Sequence, residues 1–163
     1  MNAIYITAIS TLLGVALTLF FTNRRERNRF LLDNKHKEYL ELREFYVELL
    51  ASLDKTIRLT ESGESYINMT DEMSLISSKS YLIASENINN KLIEISILMF
   101  EWSSLYKKSL PKKVGDSNFS IRTSEDSKYR IQANEINPEL RREIGKLIDL
   151  IKEELMSLKS KIN

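Results

Sequence analysis

The amino-acid sequence predicts an all-α protein in which an N-terminal transmembrane helix precedes a small antiparallel helical bundle. The 163 residues include 4 glycines and 2 prolines, with neither type between Gly14 and Gly63, and this scarcity favours long helices over turn-rich β-structure. Residues 1–22 have no charged side chain. Downstream of them, apolar residues recur at intervals of three and four, which is the period of one helix face.

The N-terminal segment has the length and composition of a membrane span. Residues 3–22 are 20 uncharged residues, and a helix of that length covers the roughly 30 Å hydrocarbon core of a bilayer. A buried core helix is the soluble alternative, but such helices usually include a charge or an amide. A cleaved signal peptide fits less well, because the segment has no basic start and ends in Phe20 and Phe21 rather than in small residues.

A basic segment follows the apolar one immediately. Residues 23–37 contain six Lys or Arg side chains against Glu26 and Asp33. Basic flanks stay on the cytoplasmic side of a span, so we expect the N-terminus outside the plasma membrane and residues 23–163 in the cytoplasm. Anionic lipid headgroups account for the basic flank without nucleic acid as a partner. The predicted membrane-interface residues are Arg24, Arg25, Arg27 and Arg29.

Small residues line one side of the predicted span. Ser10, Gly14 and Thr18 are four residues apart, and this small-xxx-small pattern lets helix backbones approach closely in lipid. The pattern predicts a homo-oligomer formed through this face, with a lone anchor as the alternative.

The cytoplasmic part, residues 38–163, divides into helices by apolar spacing. A first helix runs from residue 24 to about 59, either continuous with the span or bent near Asn23 or Asn28, and a turn at Gly63 follows. Helices at about 70–84 and 86–109 come next, the latter with a second apolar side that includes Ile93, Ile97 and Phe100.

The last part of the chain predicts a long connection and a final helix. Residues 111–137 are polar and mostly aperiodic, and are interpreted as a mobile loop. The final helix begins with Asn137 as its cap and Pro138 as its first residue. The predicted bundle core comprises Leu42, Tyr46, Leu49, Leu92, Ile95, Met99, Trp102, Ile144, Leu147 and Ile151.

The sequence gives little sign of catalysis. It has no cysteine and therefore no thiol nucleophile or Cys-ligated metal centre, and it contains no phosphate-binding loop, dinucleotide fingerprint or zinc motif. We expect no enzyme, no metal and no cofactor. The aromatic residues on apolar stripes, such as Trp102, are assigned to core packing, and the glutamate runs, including Glu139 and Glu143, to solvated helix faces.

One pair of residues resembles a nuclease pattern. Arg29 and His36, within "RFLLDNKH", are similar to the Arg, four to six residues, His pattern of HEPN ribonucleases, in which the two side chains meet at a dimer interface and cleave RNA. Phe30 departs from the family, which generally has a polar residue directly after the arginine. A basic helix face with an incidental histidine is the alternative and the one that we favour.

The overall layout resembles a broad class of small bacterial membrane proteins with one span, a basic flank such as "NRRERNR" and a helical cytoplasmic domain. That resemblance implies a single-pass protein that assembles with itself or recruits an unknown cytoplasmic protein. The alternative is a membrane-perturbing effector of a bacterial defence or toxicity system, since some anchored proteins of this layout act in that way.

Overall fold

The computed structural model describes the backbone of residues 2–63, 67–113, 120–121 and 123–162, and the side chains of residues 18–63, 74–111 and 123–162. Within these ranges the protein is all-α, as predicted, with four helices and one pair of two-residue strands. The elements are α1 (Asn2–Ser62), α2 (Ile67–Ile83), α3 (Glu86–Lys108), β1 (Lys112–Lys113), β2 (Ser120–Ile121) and α4 (Ser124–Ser160). The strands pair antiparallel, with Lys112 opposite Ile121.

Helix α1 is one continuous helix of 61 residues, about 90 Å long at 1.5 Å per residue. The backbone is helical through Asn23 and Asn28, so the first cytoplasmic helix is continuous with the apolar segment, one of the two alternatives. The helix ends at Gly63, which has a φ of 76° and whose N–H donates to the carbonyl of Thr60 (3.2 Å). This left-handed conformation suits glycine and confirms the predicted turn.

The four helices alternate in direction. The ammonium group of Lys79, late in α2, lies 3.1 Å from the Glu48 carboxylate of α1. The Ser85 hydroxyl, just before α3, donates to Glu154, late in α4 (2.7 Å). One end of the bundle therefore contains residues 83–86 and 154–158, together with residues 38–42 of α1, and the N-terminal part of α1 projects from this end.

The predicted core is correct except at one position. Ile144 is only partly buried, because Leu140 and Leu147, both fully buried, occupy the centre of the buried face of α4. Sequence reasoning missed Phe45 and Ile76. The predicted core residues that are buried are Leu42, Tyr46, Leu49, Leu92, Ile95, Met99, Trp102, Leu147 and Ile151.

The prediction of a loop over residues 111–137 is wrong for residues 124–137, which form the first part of α4. Thr123 and Asp126 make a reciprocal capping box: the Asp126 carboxylate accepts from the Thr123 N–H (2.7 Å), and the Thr123 hydroxyl accepts from the Asp126 N–H (3.2 Å). Two such bonds satisfy backbone donors that a helix start leaves open. Pro138 is consequently inside α4 rather than at its start.

Candidate interaction site

The projecting part of α1 contains the predicted membrane-interface arginines. Every described side chain from residue 18 to residue 38 is exposed, whereas a buried stripe begins at Leu42. Because successive helix residues are rotated by about 100°, the arginines at positions 24, 25, 27 and 29 point to different sides of the helix. They form a basic collar, a name used below for these four residues.

The predicted span lies largely outside the described side chains. The side chains of residues 1–17 are not among those described, so the predictions for Ser10 and Gly14 fall outside the described part, while Thr18 is exposed. Among the described residues, no helix is both long and apolar enough to cross a bilayer.

Arg29 and His36 are seven residues apart on one face of α1, about 10 Å along its axis. Both side chains are exposed on the projecting part of the helix. The structure brings them no closer than their spacing on the helix dictates.

A groove between α2 and α3 is a concave feature of the described bundle. We call it the α2–α3 groove and define it by its apolar walls, Tyr81, Ile93, Ile97 and Phe100, and by Ser80 and Asn89 at its base. Its volume is about 480 Å³, within the usual range of binding pockets.

The apolar walls of the groove are open to solvent. Ile97, Phe100 and Tyr81 are 63%, 77% and 64% exposed. The predicted second apolar side of α3, with Ile93, Ile97 and Phe100, is therefore present and faces outward. Exposed contiguous apolar patches of this kind mark interaction surfaces.

Three polar side chains of the groove bond to one another or to nearby backbone. The Ser80 hydroxyl donates to the Asn89 side-chain oxygen (2.6 Å), and the Asn89 amide donates to the carbonyl of Ala84 (3.2 Å). The Ser96 hydroxyl donates to the carbonyl of Leu92 (2.7 Å). The groove therefore offers a partner apolar contact at Tyr81, Ile93, Ile97 and Phe100, with Ser77 and Glu101 as further polar lining residues.

The other side of α3 is fixed to α4 by a buried carboxylate. The side chain of Glu143 is 8% exposed and accepts from the ammonium groups of Lys146 (2.8 Å) and Lys91 (2.9 Å). Arg142 adds a third donor at 3.3 Å, and Lys91 also pairs with Glu94. Hydrogen bonds from these cations, of which the one from Lys146 has the largest effect, lower the pKa of the Glu143 carboxyl to about 2.

The prediction that Glu143 belongs to a solvated face is therefore wrong. Its position is on the apolar stripe of α4, between Leu140 and Leu147, and Lys91 reaches it from α3. A buried ion pair contributes more to fixing one packing register of two helices than to the free energy of unfolding, because the cost of desolvation offsets much of the attraction between the charges. The Lys91–Glu143 pair joins α3 to α4 on the side of α3 that faces away from the α2–α3 groove.

The aromatic residues pack as predicted. The Trp102 ring lies 5.5 Å from that of Tyr106, over which the Arg130 guanidinium stands at 4.0 Å. Tyr46 is buried, and burial together with the Glu154 carboxylate raises the pKa of its phenol. These rings join the helices and leave no aromatic cage among the described residues.

Comparisons of this chain with protein families, with curated proteins and with solved structures found no match. Among the described residues, no group of His, Asp or Glu side chains is arranged to hold a metal ion. The proposals below therefore rest on the geometry of the chain itself.

A sequence signal for the groove existed. The core stripe of α3 includes Ile95, Met99 and Trp102, while Ile93, Ile97 and Phe100 follow a second stripe rotated by roughly 150°. Both stripes can be buried only if neighbours cover two sides of the helix. Helix α2 has 17 residues and leaves the second stripe uncovered.

Proposed function

We propose that this chain is a membrane-tethered, non-enzymatic interaction module, in which residues 3–22 are the anchor and the bundle binds protein on the cytoplasmic side. The observation that supports this most is the continuity of α1 (Asn2–Ser62). One helix joins a charge-free apolar segment to the buried stripe of the bundle, with the basic collar between them.

The dimensions of α1 fit this arrangement. If residues 3–22 cross the hydrocarbon core, residues 23–37 extend for about 22 Å beyond it. The basic collar then lies at the depth of the headgroups, where each arginine attracts anionic lipid by about 1 kcal/mol. The remaining helix separates the bundle from the lipid surface, so the α2–α3 groove stays accessible to a protein partner.

Self-association through Ser10, Gly14 and Thr18 remains part of this proposal, since close helix packing in lipid uses such residues. The bundle supplies a second, independent contact surface in the groove. Recruitment of a partner or assembly with further copies needs no catalytic group.

A labelling experiment tests the anchor and its orientation. The chain has no native cysteine, so Asn2→Cys and Ser160→Cys each introduce a unique thiol. In intact cells, a membrane-impermeant maleimide should label the first variant and reach the second only after lysis.

The contradicting outcomes are distinct. Labelling of Ser160→Cys in intact cells would show that the orientation is wrong. Recovery of the full chain in the soluble fraction after lysis, without detergent, would refute the anchor itself. The unmodified chain treated with the same reagent is the control for labelling at other side chains.

A further inference from the structure

We propose that a second copy of this chain occupies the α2–α3 groove, so that two bundles pair through the outward stripe of α3 with these helices parallel. The inference deepens the proposed function, because it names the partner of the bundle. The contact surface consists of described side chains, whereas the parallel orientation rests on the proposed membrane anchor.

The spacing of the stripe suits helix pairing. Ile93, Ile97 and Phe100 recur at intervals of four and three, which is the spacing at which one helix face meets another. All three are exposed, by 45%, 63% and 77%. The stripe rises beside a groove on the same molecule, so two copies related by a two-fold axis present matching surfaces to each other.

The area of the stripe is enough for a weak dimer. If wholly covered, these side chains and that of Tyr81, which are 45% to 77% exposed, would bury on the order of 500 Å² per copy. Twice that is close to the roughly 1,000 Å² expected of a biological interface. Such a contact is weak between copies free in solution. Confinement to one bilayer raises the effective concentration of the second copy and favours the pair.

The direction of the helices favours the parallel orientation. Helix α3 runs parallel to α1, because α2 and α4 both run antiparallel to their neighbours. A parallel α3 pair therefore places both projecting parts of α1 at the same end of the dimer, where one bilayer accommodates both. An antiparallel pair would place them at opposite ends.

Cysteine cross-linking of the full chain in its native membranes tests the interface. Under mild oxidation, Ile97→Cys should form a disulfide-linked dimer, since a disulfide requires Cα atoms within about 7 Å of each other. Val47→Cys on α1 is the matched control, because Val47 and Ile97 are both 63% exposed. Equal dimer yields from the two variants would overturn the proposal.

A mixing experiment tests the orientation. Parallel pairing predicts that Ile93→Cys cross-links with itself and that Phe100→Cys cross-links with itself. Antiparallel pairing predicts instead that the two variants, co-expressed with different tags, cross-link with each other and hardly with themselves. A dominant mixed dimer would overturn the parallel arrangement.

A charge substitution confirms the contact without oxidation. Ile97→Glu places two carboxylates across the two-fold axis and should lower the fraction of non-covalent dimer, measured by chemical cross-linking, by about ten-fold or more. Val47→Glu should leave it unchanged, and an unaltered dimer in Ile97→Glu would refute the interface. Membrane pelleting of the same samples separates the two proposals. If the chain is soluble but Ile97→Cys still cross-links, only the anchor is refuted. If the chain pellets with membranes but Ile97→Cys does not cross-link, only the dimer is refuted.

Discussion

The two parts of α1 differ in what surrounds them. From residue 18 to residue 38 every side chain is exposed, whereas from Leu42 onward Tyr46, Leu49 and Leu53 are almost fully buried. The backbone is helical throughout. Helices gain most of their stability from packing, so the C-terminal part of α1 is stabilised by the bundle, whereas residues 18–38 gain nothing from that core.

The largest effect that distinguishes the two parts should come from the core. Trp102 is 1% exposed, and truncation of a buried tryptophan to alanine costs about 3–5 kcal/mol. We expect Trp102→Ala to lower the free energy of unfolding of the detergent-purified chain by this amount, measured by circular dichroism in urea. Membrane pelleting should not change, because the proposed anchor, residues 3–22, is separate from the core.

The control for this prediction is Val47→Ala on the exposed side of α1. Substitutions at exposed positions usually change stability by less than about 0.5 kcal/mol. If Trp102→Ala and Val47→Ala had the same small effect, Trp102 would not be the core residue that its burial indicates. If Trp102→Ala abolished membrane pelleting, the independence of the two parts would be wrong.

Periodicity predicted the core of the bundle because burial of one helix face requires apolar residues at helical spacing. The stripe of Leu42, Tyr46 and Leu49 and that of Leu92, Ile95 and Met99 are strictly periodic and are buried. The first turns of α4 are polar and gave no such signal. They are held by the Thr123–Asp126 capping box, whose residues were visible in the sequence, and by the contact of Arg130 with Tyr106, which was not.

The candidate site was less predictable than the core. Whether Ile97 and Phe100 are covered depends on the length and placement of α2, which their own spacing does not encode. The burial of Glu143 was hard to predict for a similar reason, because a glutamate on an amphipathic helix is usually solvated. Its burial requires Lys91 to arrive from α3, and only the packed structure shows that.

A smaller, pH-dependent effect should come from Glu143. Its pKa falls from an ordinary value of 4.5 to about 2 in the folded chain, so its ionised form stabilises the fold above about pH 4.5. That contribution disappears as the pH falls from about 4.5 to about 2. We expect Glu143→Gln to be less stable than the native chain at pH 7, with a difference that shrinks across this window.

The measurement is the free energy of unfolding at pH 7, 4 and 2.5 for both chains. Glu153→Gln, an exposed position on the same helix, is the control and should follow the native profile. A constant difference between the native chain and Glu143→Gln over the whole range would show that the ionisation of Glu143 contributes nothing to stability.

The smallest effect should come from the projecting part of α1. His36 is exposed there, away from the buried stripe, so His36→Ala should change the free energy of unfolding by less than about 0.5 kcal/mol and leave membrane pelleting unaltered.

The same purified chain, incubated with RNA, should give no cleavage with or without the His36→Ala substitution. The physical reason is that proton transfer requires a substrate held within hydrogen-bond distance of the catalytic groups, and Arg29 and His36 lie about 10 Å apart along one helix with exposed side chains. The contradicting result would be RNA cleavage by the native chain that is lost in both His36→Ala and Arg29→Ala at unchanged helicity. The projecting part of α1 would then be a catalytic element, formed only when further copies bring a second Arg29 and His36 beside the first.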